Sequence, residues 1–185
     1  MAKAYKLFRI KKNSPGVLFP LYVLADEPLE MKEWLIAKEG IRLPNNKVQS
    51  KLGPLAFRPG FHLCDTPLAV HIGIRENGKI KYMHPETVWA ECEYADTFNY
   101  QHYANFQGTH DGKFNPRDAF LTYIPELGFY RYKTSPQMLG DWIISGAIKI
   151  NHVLTDVEVR TICESFGYKA QPRKKPLGFS LDNWP

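Results

Sequence analysis

The densest group of chemically active side chains lies within residues 58–71 of the chain. Arg58, His62, Cys64, Asp65 and His71 occur there, among prolines and glycines that favour turns. An imidazole can act as a general acid or base near neutral pH, and a guanidinium can hold a phosphate or a carboxylate. The sequence therefore places its first candidate site in this stretch.

The turn residues on both sides of His62 predict the elements that would position it. Pro59-Gly60 is typical of a turn, and Phe61-His62-Leu63 predicts a short strand. Asp65 is then the expected N-cap of a short helix over Leu68–Ile72. A strand held between two turns would present His62 to a pocket. The alternative is that the imidazole makes hydrogen bonds within a packed corner.

Three carboxylates are candidates for a catalytic role. Val88–Tyr94 alternates strictly, which predicts a strand with Glu91 and Glu93 on one face, about 7 Å apart by twice the strand rise. Such a pair can orient a ribose or act as a base, or it can belong to an exposed strand face without chemistry. Asp141, just before an apolar strand that begins at Trp142, is the third candidate.

Cationic and aromatic residues complete the set of candidates. Ala4–Ile10 predicts a first strand, from which Arg9 projects among apolar neighbours. Phe129–Lys133 alternates aromatic and basic residues, which predicts a strand at a rim. There Tyr130 and Tyr132 could stack on a base, or they could pack in the core.

Several kinds of site are not indicated by the sequence. It contains no Rossmann or P-loop motif and no nucleophile elbow. Of the histidines only His102 and His110 lie near each other, beside Asp111, so we predict no metal site. The three cysteines are far apart and odd in number, which favours free thiols in a reducing cytoplasm.

The remaining patterns define the expected fold. Thr155-Asp-Val-Glu158 is a capping box, which predicts a helix over 156–166 that packs through Val159, Ile162 and Phe166. Val17–Leu24 is expected to pair with the first strand. Residues 96–124 are polar and aromatic, without a period, and are expected to form a mobile excursion. We predict an α+β fold: a largely antiparallel twisted sheet of short strands with two or three short helices.

Length and composition indicate one domain. A chain of 185 residues that is 44% hydrophobic can bury one core, so we assign residues 1–168 to a compact domain and 169–185 to a basic, proline-containing tail. No run of about 18 apolar residues occurs, which predicts no membrane-spanning segment. The net charge is +5 and the pI is 9.0. Basic clusters near both termini would suit nucleic acid. Their members are Lys3, Lys6, Arg9, Lys11 and Lys12, and Lys169, Arg173, Lys174 and Lys175.

The order of several pieces resembles that of small phage and prophage proteins of unassigned function. These pieces are Tyr5-Lys-Leu-Phe-Arg9, Arg58-Pro-Gly-Phe-His62, Pro67-Leu-Ala-Val-His71, Val88-Trp-Ala-Glu-Cys-Glu93, Gly140-Asp-Trp-Ile143 and Lys149-Ile-Asn-His-Val-Leu154. They extend over most of the chain. The resemblance implies a phage accessory role but no chemistry.

The same order is distantly similar to that of ADP-ribosyltransferase-like folds, in which an early strand ends in Arg or His and an acidic residue follows later. This similarity implies that NAD is the cofactor, that Arg9 holds its phosphates or ribose, and that His62 borders the nicotinamide. Asp141, or the pair Glu91 and Glu93, would stabilise an oxocarbenium-like transition state. Cofactor contacts would come from Arg58, Tyr130 and Tyr132.

Three functions are compatible with these observations. The first is a binding protein that contacts a protein or nucleotide partner through an aromatic-rich basic surface over residues 96–133. The second is an NAD-dependent ADP-ribosyltransferase-like enzyme with a pocket bordered by Arg9 and His62. The third is a nucleic-acid-binding module that uses the terminal basic clusters. The transferase requires that Arg9, His62 and an acid line one pocket, whereas the other two functions do not.

Overall fold

The computed structural model describes all 185 residues. The strands are β1 (Ala2–Arg9), β2 (Trp34–Ile36), β3 (Arg42–Leu43), β4 (Lys47–Val48), β5 (Leu55–Ala56), β6 (Phe61–Cys64), β7 (Ile74–Glu76), β8 (Lys79–Tyr82), β9 (Thr87–Tyr94), β10 (Phe98–Asn99), β11 (Thr109–His110), β12 (Lys113–Phe114), β13 (Gly128–Tyr132), β14 (Trp142–Ser145) and β15 (Ala147–Val153). The helices are α1 (Gln101–Gln107) and α2 (Asp156–Ser165).

One eight-stranded sheet organises the chain. Its strand order is β10-β13-β14-β6-β1-β9-β15-β2, and every neighbouring pair is antiparallel except β10 with β13. Three small sheets are separate from it: β3-β4-β5, β7-β8 and β11-β12. The predicted α+β class with a largely antiparallel sheet is therefore confirmed.

Alternation along β1 gives the sheet two apolar faces. On the first face Ala4 and Phe8 pack with Leu63 of β6 and Val88 of β9. On the second face Tyr5 and Leu7 pack with residues that include Trp89 and Trp142. A strand buried on both faces needs apolar residues at successive positions, as β1 has.

Helix α2 covers part of the second face. The predicted capping box is present, with the Thr155 hydroxyl accepting from the Glu158 N–H and the Glu158 carboxylate accepting from the Thr155 N–H. Val159 and Cys163 are buried in the second-face cluster, and Ile162 packs against it. Phe166 is 50% exposed, so its predicted packing role is wrong. It is the C-cap, one residue beyond the end of α2.

Other local predictions were also wrong. Residues 68–72 do not form the predicted helix. Leu68 N–H donates to the Thr66 carbonyl and Ile72 N–H to the Ala69 carbonyl, which are turn bonds and not the i to i−4 bonds of an α-helix. Val17–Leu24 is not a strand, and only Phe19 makes an isolated bridge to Arg9. The supposed loop at 96–124 contains α1. The apolar stretch Trp142–Ile150 contains Ser145-Gly146, a pair that favours a bulge or turn, and it divides at Gly146 into β14 and β15.

Residues 169–185 contain no helix or strand but pack along the domain. Arg173 pairs with Asp156 at 2.9 Å and donates to the Thr87 carbonyl. Further on, Leu181 is buried in the first-face cluster, and Trp184 packs against that cluster. We call residues 174–185 the C-terminal strap. No helix of the structure is long and apolar enough to cross a membrane.

Candidate functional site

His62 of β6 has both ring nitrogens hydrogen-bonded within the protein. Nε2 lies 3.0 Å from the Arg58 carbonyl oxygen, and Nδ1 lies 2.9 Å from the Tyr132 hydroxyl. A carbonyl can only accept, so Nε2 carries the proton and Nδ1 accepts from Tyr132. Burial lowers the pKa of His62 to about 4, which keeps the imidazole neutral at pH 7. His62 therefore lies in a packed corner, and the expectation that it faces a pocket is not met.

The residues around His62 form what we call the aromatic corner: Arg58, His62, Phe120, Tyr130 and Tyr132. The Tyr132 ring makes an edge contact with His62, at 5.2 Å between centroids, and lies 5.6 Å from Phe120. Burial raises the pKa values of both Tyr130 and Tyr132. Neither phenol is therefore available as a base near neutral pH.

Arg58 differs from the other members because its guanidinium has no counter-ion. It lies 4.1 Å from the Phe120 ring centroid, in a cation–π contact. Burial lowers its pKa, because the charged form loses water. The guanidinium is thus partly desolvated and held by a ring alone.

A depression of about 250 Å³ adjoins the aromatic corner. It lies between α1, β12, the end of β13 and the start of β14. Its walls contain polar, charged and aromatic side chains. The lining residues that matter for its chemistry are Asn105, Phe114, Lys133, Asp141 and Trp142. Tyr132 also lines it, and therefore joins the depression to His62.

The aromatic walls of the depression are held in place by hydrogen bonds. The Trp142 indole N–H donates to the Leu139 carbonyl at 2.9 Å, and the Tyr132 hydroxyl is bonded to His62. The polar atoms of both side chains are hydrogen-bonded within the protein, so the rings present their carbon surfaces to the depression. The walls are preorganised rather than free to turn.

Gln101 fixes helix α1 against the edge of β13. Its side-chain oxygen accepts from the Arg131 N–H at 2.7 Å, and its amide nitrogen donates to the Arg131 carbonyl at 3.1 Å. The side chain thus continues the edge pairing where β10 ends, in the manner of a further strand residue. This contact sets the width of the depression.

Asp141 is anchored through its backbone. Its N–H donates to Asp65 Oδ1 at 2.9 Å, and its carbonyl accepts from the Asp65 N–H at 3.0 Å. Gly140 just before it has φ +74°, and a Cβ there would lie 2.6 Å from the same Asp65 oxygen. The bends around Asp141 therefore require glycine, and its carboxylate takes no part in this anchoring.

Arg9, Glu91 and Glu93 have local partners and line no shared site with His62. The Arg9 side chain is 8% exposed and donates to the Ala25 carbonyl, with Asp26 at 3.5 Å. Glu91 pairs with Lys3 at 2.7 Å, and Glu93 with Lys149 at 2.9 Å, across the strands. Of the predicted site residues, the structure brings together Arg58, His62, Tyr130 and Tyr132, with Asp141 in the adjoining depression.

The cysteines are protonated thiols. Burial raises the pKa of Cys64 and of Cys92 to about 12, and that of Cys163 to about 11. Since the thiolate is the nucleophile, none of them is activated. No group of three or more His, Cys, Asp or Glu side chains could hold a metal ion.

Exposed aromatic side chains within the aromatic-rich region 96–133 form a second feature. Eight aromatic residues are exposed in the whole chain, and five of them fall within residues 98–123. We call these five the aromatic rim: Phe98, Tyr103, Phe106, Phe114 and Tyr123, which are between 45% and 73% exposed. Phe98 lies on β10, Tyr103 and Phe106 on α1, and Phe114 on β12, while Tyr123 lies in the bend before β13. Because this stretch is polar, the sequence did not predict α1, and it therefore could not predict which rings are exposed.

Comparison of the chain with family models, with curated proteins and with solved structures gave no match. Its function is therefore argued from the aromatic rim, the aromatic corner and the depression.

Proposed function

We propose that this chain is a binding protein that contacts a protein partner through the aromatic rim. The observation that carries the proposal is the concentration of exposed rings, since five of the eight exposed aromatic residues lie within residues 98–123. Soluble proteins rarely leave large apolar side chains grouped on the surface unless they bind something there. Aromatic residues are also those most enriched at protein interfaces.

The charge of the same region favours protein over nucleic acid. Residues 96–133 contain four acidic and four basic residues and are therefore neutral, so the expectation that this aromatic-rich surface is basic is wrong. The acids are Asp96, Asp111, Asp118 and Glu126, and the bases are Lys113, Arg117, Arg131 and Lys133. Binding to nucleic acid draws its affinity from an excess of Lys and Arg at the contact surface. The excess of +5 belongs to the rest of the chain.

The state of the titratable groups also favours binding over catalysis. His62 has both nitrogens bonded, and the Arg9 guanidinium is held by Ala25 and Asp26. Glu91 and Glu93 are in ion pairs. No observation favours the NAD-dependent transferase as a second candidate. A phage accessory role is compatible with a binding protein and rests on the sequence resemblance alone.

Site-specific photo-crosslinking tests the proposal. p-Benzoylphenylalanine is placed at Phe106 of the aromatic rim, or at Phe179, which is 50% exposed but lies outside the rim. Each variant is irradiated in the cells that make the protein. We expect the Phe106 variant to give one protein adduct that the Phe179 variant does not give. Adding Tyr103→Ala to the Phe106 variant should reduce its yield.

The outcomes separate the alternatives. Identical adducts from both positions, or none from any of the five rim positions, would overturn the proposal. An adduct that nuclease digestion removes would identify nucleic acid as the partner instead of protein.

A further inference from the structure

We propose that the depression beside the aromatic corner binds a small zwitterion, namely an α-amino acid with an aromatic side chain. This inference is independent of the protein partner, because it rests on the depression and not on the aromatic rim. Three features support it: charges of both signs without partners, aromatic walls that are already fixed, and a volume suited to one amino acid.

The charged groups at the depression are free. Lys133 lines it from just after β13, and Asp141 lines it from just before β14. The guanidinium of Arg131 lies 5.9 Å from the Phe129 ring centroid, on the face of β13 opposite Tyr132, and is not counted among the charges of the depression. The Lys133 ammonium and the Asp141 carboxylate make no hydrogen bond and no ion pair.

This state differs from that of the rest of the sheet. On β1, β9 and β15 the opposite charges pair across strands, as Lys3 does with Glu91 and Lys149 with Glu93. Tyr132 pairs with Trp142 in the β13–β14 register, which places Lys133 and Asp141 at the next opposed position. Yet these two charges line one depression without contact. One cation and one carboxylate complement a ligand that has a carboxylate and an ammonium group.

The aromatic walls provide the apolar part of the site. Trp142 and Tyr132 have their polar atoms bonded to Leu139 and His62, and Phe114 extends into the depression from β12 while remaining 55% exposed. A ring on the ligand can therefore stack or make edge contacts without displacing a hydrogen bond. His62 acts here as a positioning residue, because it fixes Tyr132.

The size of the depression limits the ligand. Sites for drug-sized molecules usually have about 300–1,000 Å³, and this one has about 250 Å³. A single aromatic amino acid suits this volume, whereas a dinucleotide would extend far beyond the walls.

Three related ligands test the charge pattern on the intact protein. L-Phenylalanine has both charged groups, 3-phenylpropanoate lacks the ammonium, and 2-phenylethylamine lacks the carboxylate. Affinities are measured by titration with amide chemical shifts as the readout. We expect L-phenylalanine to bind about 10-fold or more tightly than either analogue, since each charge-assisted contact is worth at least that factor. Shifts should centre on Lys133 and Asp141.

Variants test which charged group of the ligand each side chain binds. Asp141→Asn should remove the preference for L-phenylalanine over 3-phenylpropanoate, leaving the two within about 2-fold of each other. Lys133→Gln should remove the preference over 2-phenylethylamine. Asp96→Asn is the matched control, because Asp96 is an exposed acid outside the depression, and it should change neither preference. Dispersed amide spectra confirm that each variant is folded.

Two results would overturn the inference. One is that L-phenylalanine causes no shifts in the depression at 10 mM, about the weakest binding that such a titration detects. The other is that adenosine monophosphate, tested in parallel, binds at these residues more tightly than L-phenylalanine does, which would assign the depression to a nucleotide.

Discussion

Lys6 places an ammonium group among apolar side chains on the central strand. Its Nζ donates to the His62 carbonyl at 3.2 Å and lies 5.6 Å from the Phe8 ring centroid. Burial lowers its pKa to about 8, because no carboxylate compensates the loss of water. The charged form of Lys6 therefore destabilises the native sheet.

Replacing Lys6 with Met should stabilise the protein at pH 7 by about 1–3 kcal/mol, because it removes a desolvated charge while keeping the length of the side chain. The native pKa is about 8 and the unfolded value is near 10.5. The unfolded state thus holds more protons between these values, and the stability of the wild type rises with pH there. The advantage of the variant should shrink from pH 8 to 10.5. Urea denaturation of both proteins across this range measures the difference, and an equal advantage at both ends would contradict it.

His62 should make the protein sensitive to acid. Its native pKa of about 4 lies below its unfolded value of about 6.5, so the unfolded state binds the proton first as pH falls. The neutral His62 ring thus stabilises the native state fully above pH 6.5. Between pH 6.5 and pH 4 the free energy of unfolding should fall by about 2–3 kcal/mol.

The variant His62→Gln separates this effect from that of other titrating groups. It should cost about 1–3 kcal/mol at pH 7 through weakened contacts with Tyr132 and Arg58. Its stability should then fall less steeply than that of the wild type below pH 6.5. Parallel curves for the two proteins in this range would show that His62 does not titrate as the buried ring predicts.

Among the elements, the capping box of α2 makes a contribution to stability that can be measured separately. Thr155→Ala removes the acceptor for the Glu158 N–H and should cost about 0.5–2 kcal/mol. Thr161→Ala is the control, since the Thr161 hydroxyl only bonds back to the Val157 carbonyl within the same helix. That change should be neutral or slightly stabilising, because Ala is the better helix former. Thermal denaturation compares the two, and equal losses would mean that the cap contributes nothing specific.

The elements that the sequence predicted correctly are those with a strict local pattern. β9 shows alternation, α2 has a capping box before it, and Gly146 divides β14 from β15. α1 was missed because Gln101–Gln107 has only one buried residue, Ala104, and therefore no apolar stripe. The short helix expected at Leu68–Ile72 was wrong because its apolar residues pack in the second-face cluster as turns.

The candidate site was predicted only where sequence neighbours remain neighbours in space. Arg58 and His62 are four residues apart, and Tyr132 reaches them because β14 lies between β13 and β6. That strand order depends on pairings between distant residues, such as Ile144 with His62, which no local pattern encodes. The partners of Arg9 and Glu91 follow from similar pairings and could not be predicted either.

For the whole molecule, the C-terminal strap completes the first face of the sheet. Leu181 is 8% exposed in the cluster that contains Phe8 and Val88. Leu181→Ala should therefore destabilise the entire domain by about 2–3 kcal/mol, as for other truncations of buried leucine. Phe179→Ala is the matched control, since Phe179 is 50% exposed two residues earlier and should cost less than about 0.5 kcal/mol. Denaturant unfolding measures both variants, and we expect a lower midpoint with an unchanged slope for Leu181→Ala. Similar midpoints for both variants would mean that the strap does not contribute to global stability.

The position of β1 in the middle of the sheet affects how the chain is made. Tyr5 pairs with Cys64, 59 positions later, and with Glu91, 86 positions later. At about 5–20 residues per second, a ribosome needs roughly 4–17 s to synthesise that interval. During this time Leu7 and Phe8, which are buried in the finished sheet, leave the exit tunnel without strands to cover them. We therefore expect the nascent chain to be bound by ribosome-associated chaperones until β9 has emerged.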